Sequence, residues 1–501
     1  MSGTPAESGL PMLTPDEIAA SGREVPARFL LALEVTSWRE SAPAPELALH
    51  TCVVRIDQIL RLLPGRRLVA RVEVEGRRCL LKLFQGKGSD RYRRRELRGC
   101  RALAAAGVST PRMLAEVEDP VGPARGILFE VVEDARPVAD NQQDQVVAAA
   151  AELARLHAFG ARHGDLHLNN FLHQENADGG RVYLVDGDGV RGARRGGRGH
   201  PLGIGASIRN LAVLCAQRPP LLDGQLQEVF QAYADARGWP ASGPEYQSCL
   251  AALREATRRR RRRRVHTYLR KTQRACTEFY CQRDLRRYFV CLRASMNDAF
   301  ERFASEPERF FEGAEMLKDG NSATVVRTRI GGRVCIVKRY NVKGFWHGLR
   351  RIFKPRARFR LAWCNGHRLH FLGIPTARPL ALLERRFGPL RGVAYLVMED
   401  VGQEDLSDRA SSDGLSDQQV ARVICLFCAL KAAGLTHGDT KASNFLVFQG
   451  QVALVGLDAM HEGVAGQARD IERFLANWMD KPELRERFRL CFVDAGLAAP
   501  D

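Results

Sequence analysis

The chain has 501 residues, 45% of them apolar and 27% charged, which suits a large globular protein of two or three domains and excludes a disordered or fibrous one. Its 76 basic against 58 acidic residues give a formal charge of +18, so a polyanionic partner is expected. No apolar run approaches the roughly 18 residues a membrane-spanning helix needs, the N-terminus lacks the basic-then-apolar pattern of a secretory signal, and thirteen scattered cysteines fit a reducing compartment.

Residues 1–50 are read as a variable lead. A first unit, 51–240, begins with Val69 to Val74 and Cys79 to Phe84 flanking Glu75-Gly76, the pattern of a hairpin. Lys82 lies between leucines in the second strand, where an ammonium wants an anion. The amphipathic helix that follows, RYRRRELRGCRALAAAG, offers Glu96 as its partner. The plainer alternative is an edge-strand lysine and a surface glutamate. Gly107 to Pro111 end the helix, and Ile127 to Val132 (ILFEVV) form a strand whose last backbone groups, Glu130 to Val132, are placed to pair with a nucleotide base.

His163 to Leu172 then reads HGDLHLNNFL, with an Asp five residues before an Asn, a histidine two residues upstream of that Asp and an apolar strand after it. This is the spacing of a kinase catalytic loop, because phosphoryl transfer mainly requires an Asp facing an acceptor hydroxyl and an Asn facing a metal ion. Asp165 takes the first role and Asn170 the second. After a turn at Asp178 to Gly180, the strand RVYLV ends at Asp186, which returns a second acid to the metal site; the alternative is a solvated acidic turn.

Trp239, Pro240 and an SGP stretch mark a break, and 241–312 is read as a helical, arginine-rich connector. Arg258 to Arg264 is an unbroken run of seven that must face solvent unless an anion covers it. Three readings suit it: an anionic membrane surface, worth roughly 1 kcal/mol per basic side chain, a plain solvated helix face, and nucleic acid as the least favoured; the family resemblance given below tips the choice to the membrane. Lys343 to Arg360 interleaves Phe345, Trp346, Ile352 and Phe353 with basic residues, which suits either an interfacial contact or an insertion packed on a small lobe.

The second unit, 313–501, repeats the first. Lys338 sits in the strand VCIVKRY, Leu372 to Thr376 matches Ala106 to Thr110, and His437 to Leu446 reads HGDTKASNFL, giving Asp439 and Asn444. Two parts are missing. Counting back from Gly373 puts Ala362 where Glu96 stands, and aligning LVGLD with LVDGD puts Gly456 where Asp186 stands. Asp458, two residues on, is the substitute metal ligand if the strand ends with a bulge.

The lysine strand, the acidic helix, the AGVSTPR connection, HGDxxxxN and VDGD together resemble the bacterial lipopolysaccharide core sugar kinases, the Kdo and heptose kinase family, over most of the chain in two passes. The resemblance implies an α+β chain of two tandem protein-kinase-like domains, each with a strand-rich small lobe and a helical large lobe. It implies ATP and Mg2+ as cofactors, and Lys82 and Lys338 on nucleotide phosphates. The expected reaction is phosphorylation of a sugar hydroxyl of the lipopolysaccharide inner core, in the cytoplasm, peripheral to the inner membrane, with lipid A core as partner. Gly164 and Gly438 stand where protein kinases carry the arginine that anchors a phosphorylated activation loop, so control by loop phosphorylation is not expected. Other readings left open are a tandem pseudokinase scaffold and a small-molecule kinase of the aminoglycoside phosphotransferase type.

Overall fold

The computed structural model describes residues 13, 29–38, 51–176, 179–192, 199–341, 357–388, 390–402 and 404–498. The chain divides into two compact units, one of residues 1–217 and 225–257, the other of 218–224 and 258–501.

In the first unit β1 (Phe29–Trp38), β2 (Thr51–Leu63), β3 (Arg67–Val74), β4 (Arg77–Phe84), β5 (Met113–Glu118) and β6 (Arg125–Glu130) close into a barrel in the order β1-β2-β3-β4-β6-β5. The lead expected at 1–50 thus contributes a strand: the apolar FLLALEV pairs with both β2 and β5 and removes the sheet's free edges. Period-two alternation along β4 puts Cys79, Leu81 and Leu83 in the barrel interior with Leu68, Ala70 and Val72 of β3. The opposite face carries Leu80, Lys82 and Phe84, and α1 (Ser89–Ala105) lies over it through Leu97 and Cys100. That alternation is what turns Lys82 toward the helix.

The helical part of this unit packs α2 (Gln143–Ala158), α3 (Ile204–Cys215), α4 (Leu226–Arg237) and the start of α5 (Gly243–Lys271) around Leu153, Phe171, Leu211, Phe230 and Leu250. A hairpin of β7 (Phe171–Gln174) and β8 (Arg181–Leu184) joins the end of the catalytic-loop motif to the following acid, Asp186.

The second unit has a seven-stranded antiparallel sheet of β9 (Phe279–Arg283), β10 (Arg287–Leu292), β11 (Glu315–Gly320), β12 (Ala323–Ile330), β13 (Arg333–Tyr340), β14 (Pro379–Phe387) and β15 (Leu390–Glu399), in the order β9-β10-β14-β15-β13-β12-β11. The stretch expected as a helical connector therefore supplies two strands as well as α5 and α6 (Asp298–Ser305). The Asp284 carboxylate accepts hydrogen bonds from the Arg286 and Arg287 amides at 2.7 and 2.8 Å, a tight turn that makes FYCQR and RYFVCL a hairpin. Helix α7 (Arg358–Phe371) packs on the sheet, with Trp363 in its core. A second core, around Phe427, Phe445, Phe474 and Phe492, joins α8 (Leu406–Ser412), α9 (Asp417–Ala433), the hairpin of β16 (Phe445–Phe448) and β17 (Gln451–Leu454), α10 (Gln467–Ala476) and α11 (Pro482–Asp494).

The arginine run lies on α5, but it is not uniformly solvated. Arg261 is buried and donates to both Asp223 carboxylate oxygens, at 2.8 and 2.6 Å, and Arg264 lies over the Phe371 ring. These two positions, three apart on one helix face, are structural, whereas Arg258, Arg260, Arg262 and Arg263 are exposed. Residues 342–356, which hold most of the aromatic and basic stretch, lie outside the described residues.

Candidate active site

Lys82 and Glu96 meet at 2.5 Å, with Asp186 3.4 Å from the same ammonium. Glu96 is fully buried, and besides Lys82 its carboxylate accepts hydrogen bonds from the amides of Gly187 at 3.2 Å and Asp188 at 3.0 Å. One side chain of α1 therefore holds both the lysine and the turn that carries Asp186. The approach is close enough to require glycine on both sides: a Cβ on Gly99 would lie 1.8 Å from the Gly187 carbonyl oxygen, and one on Gly187 would lie 2.6 Å from the Cys100 amide nitrogen. Arg95 closes the contact by an ion pair with Asp188 at 2.8 Å.

The charges are fixed by this arrangement. Burial works against the Lys82 ammonium, but Glu96 and Asp186 outweigh it and hold its pKa above the ordinary lysine value. Burial likewise disfavours ionised Asp186, and Lys82 and Arg67 overcome that, so its carboxyl titrates below the usual range. Burial and the adjacent Glu96 push the Cys100 thiol up to about 12, which keeps it an inert packing group.

The loop is built on a buried polar frame. The ring of His163 is bonded to the Asp186 carbonyl at 2.9 Å, and the His163 Nδ1 accepts from the Asp165 amide at 3.3 Å. Asn170 donates to the Asp165 carbonyl at 2.7 Å and accepts from the Val185 amide at 2.8 Å, which sets the loop against the strand entering Asp186. Asp165 itself points outward, 60% exposed, beside His167 at 3.0 Å. Beneath the loop, Asn210 accepts from the His163 amide, donates to the His163 carbonyl and bonds the ring of His157, whose other nitrogen meets Tyr233 at 2.7 Å. Sequence reasoning missed Asn210; its signal is a polar residue on the buried stripe of the apolar helix α3.

Asp186 adopts φ 72°, ψ 74°, a left-handed conformation that a non-glycine residue holds only at a cost. Its carboxylate and the Asn170 amide oxygen are hard ligands of the kind Mg2+ takes together with substrate phosphates, so the donor set fits that ion. No cluster of three acidic, histidine or cysteine side chains occurs among the described residues, which leaves phosphate oxygens and water to complete any such shell. At the end of β6, the Glu130 amide already donates to the Arg112 carbonyl at 2.9 Å and its carboxylate pairs with Arg112. The amide at 130 is therefore not open to a base; Val132, half-buried beyond the strand end, is the nearer candidate.

In the second unit the loop is equally well made. Asp470, buried on α10, accepts from the amides of His437 at 2.7 Å and Gly438 at 2.9 Å, the position Asn210 fills in the first unit. Asn444 donates to the Asp439 carbonyl at 2.7 Å, and Lys441 lies 3.8 Å from the Asp439 carboxylate. The metal side differs. Gly456 has φ 71°, the conformation of Asp186, but a Cβ there would lie 2.4 Å from the Asn444 Oδ1, so the space an acid would need is occupied. Asp458 instead bonds Lys338 at 3.0 Å, the Tyr340 hydroxyl at 3.0 Å and Arg358 at 2.9 Å, and is 9% exposed. With Ala362 in place of a glutamate, Asp458 has become the partner of the strand lysine. Asn365, one turn along, donates to the Leu457 and Met460 carbonyls and so fastens this turn to α7.

A lysine paired with a helix glutamate, a His-Gly-Asp loop and a following acid define a kinase-type phosphotransferase site. A family profile, the lipopolysaccharide kinase (Kdo/WaaP) family, matches residues 88–198 and 312–486, together more than half of the chain. The chain belongs to that family. A solved structure described as WaaP in complex with acyl carrier protein matches at 21% identity and a TM-score of 0.30, over 41% of this chain and 87% of that one. No protein of curated function matches. Membership makes the chain a kinase, and hence a user of a nucleoside triphosphate.

Proposed function

We propose that the protein transfers the γ-phosphoryl group of ATP to a sugar hydroxyl of the lipopolysaccharide inner core, and that the first unit does the chemistry. The observation that carries this is Asp186, an ionised acid held in a strained left-handed conformation within 3.4 Å of the Lys82 that Glu96 orients. A position with that backbone would be relieved by glycine, as at Gly456, and keeping an acid there implies use.

In this reading Lys82 binds the nucleotide phosphates, Val132 pairs with the adenine, and Asp165 accepts the proton of the sugar hydroxyl as the oxygen attacks the γ-phosphorus and the bond to the β,γ-bridging oxygen breaks, releasing ADP. Asn170 and Asp186 would hold Mg2+, which when bound would supply charge neutralisation on the phosphate oxygens. Asp439 and Asn444 are intact, but Lys338 and Asp458 occupy one another, so the second unit serves as a pseudokinase or regulator. The exposed arginines of α5 suit attraction to the anionic cytoplasmic face of the inner membrane. No described helix is long and apolar enough to cross a membrane.

The test is transfer of labelled phosphate from ATP to dephosphorylated core lipopolysaccharide by the intact protein, Asp165→Asn and Asp439→Asn. Loss with Asp165→Asn alone supports the assignment. Loss with Asp439→Asn alone reverses the roles of the units, and no transfer by the intact protein removes this acceptor.

A further inference from the structure

On the outer side of α1, away from Lys82, a cavity of about 320 Å³ is lined by Arg91, Arg95, Arg98, Gly99, Val190, Arg191 and Gly192. Arg91, Arg95 and Arg98 follow the i, i+4, i+7 spacing of one helix face, and Arg191 faces them from the segment after the Asp186 turn. Among the described residues these four guanidinium groups share a single carboxylate, Asp188, which pairs with Arg95. Arg191 donates only to the Asp188 and Val190 carbonyls and Arg98 only to the Arg94 carbonyl; Arg91 has no carboxylate partner among the described residues. Such a concentration of positive charge around a cavity calls for an anion.

The anion does not come from the neighbouring segment by modification, since residues 186 to 206 contain no serine, threonine or tyrosine. It has to be carried by a separate molecule. We propose that this pocket binds a phosphate dianion, bridging Arg91 and Arg98 of α1 to Arg191, and that the phosphate is one already borne by the acceptor. The source rests on the kinase reading above; the pocket does not. A bridge here ties α1 to the Asp186 turn from outside, at the level where Glu96 ties them from inside, so a phosphorylated acceptor would steady the Lys82, Glu96 and Asp186 set as it docks.

The experiment is equilibrium binding of labelled inorganic phosphate to the intact protein at fixed ionic strength in chloride, for wild type, Arg91→Gln/Arg98→Gln and Arg191→Gln, with thermal unfolding in chloride alone as the folding control. Each variant should unfold as wild type does and lose about tenfold or more in phosphate affinity, as expected for removal of charge-assisted hydrogen bonds. Equal affinity in wild type and both variants overturns the proposal. Displacement of bound phosphate by core glycolipid that carries phosphates, and not by the dephosphorylated form, assigns the anion to the acceptor; displacement by neither overturns that source and leaves free phosphate as the ligand. Failure of ATP transfer to the core glycolipid with phosphate binding intact would remove that acceptor and keep the pocket.

Discussion

Replacing Glu96 by glutamine keeps its shape and removes its charge, and three bonds depend on that charge. Lys82 lies 2.5 Å away with 12% of its side chain exposed, and the amides of Gly187 and Asp188 lie 3.2 and 3.0 Å away. Breaking a buried ion pair costs about 3–5 kcal/mol. Asp186 remains as a second partner for Lys82, so the lower figure applies, about 3 kcal/mol. If that energy is what holds the lysine and the Asp186 turn in register, transfer falls by roughly two orders of magnitude, at about 1.4 kcal/mol per tenfold. The assay is urea unfolding of the intact protein followed by phosphate transfer under saturating ATP. The two units need not unfold together, so the transition to follow is the one that Asp458→Asn leaves in place. An unmoved midpoint, or transfer within about threefold of wild type, would refute the claim that Glu96 organises the site.

Gly456→Asp should not restore a metal site to the second unit. It meets Asn444 and forces φ 71° on a non-glycine residue, with an expected loss of about 2 kcal/mol in unfolding free energy and no gain in magnesium-nucleotide binding by calorimetry. His157 is buried neutral, its pKa lowered from 6.5 to about 4 chiefly by burial. The unfolded chain then takes up the proton first, so stability is fully present above pH 6.5 and falls by about 3 kcal/mol as pH drops toward 4. Urea midpoints against pH should show this slope in wild type and a shallower one in His157→Gln. Asn210→Ala, which strips the His163 backbone and the His157 ring of their shared partner, should lower kcat more than KM for ATP, because it loosens the loop that carries Asp165 and not the lysine strand.

What the sequence made legible was whatever is local. The β3–β4 hairpin, the helix bearing Glu96, both His-Gly-Asp loops and the glycine at 456 depend on short-range pattern, and each stands where spacing put it. The strand at Phe29–Trp38 was hidden because it precedes the repeat and pairs at a distance with β2 and β5. The strands at 279–292 were hidden because neither alternates: RYFVCL is buried along nearly its whole length, and the Asp284 turn is the local signal that marks the hairpin. Asn210 and Asp470 could not be placed from spacing, since they act on the loop 47 and 33 residues away through helix packing. Arg261 and Arg264 looked like the rest of the run because only the helix phase separates them.

The two units differ most in where the strand lysine finds its counter-charge. In the first, Glu96 neutralises Lys82 from the helix, and Asp186 stays 23% exposed. In the second, the helix has no acid to offer, and an acid two residues beyond the turn glycine has moved in and been buried by Lys338, Tyr340 and Arg358. A buried carboxylate with three donors has little left for a metal ion, and Arg358 adds a positive charge where a cation would have to approach. Asp186 contributes above its ordinary 3.8 and loses its charge only at lower pH, while Lys82 contributes fully below 10.5 and loses its charge only above that. Across the whole interval the charges of Lys82 and Asp186 are constant, so any pH dependence of transfer between those limits has to arise from other groups.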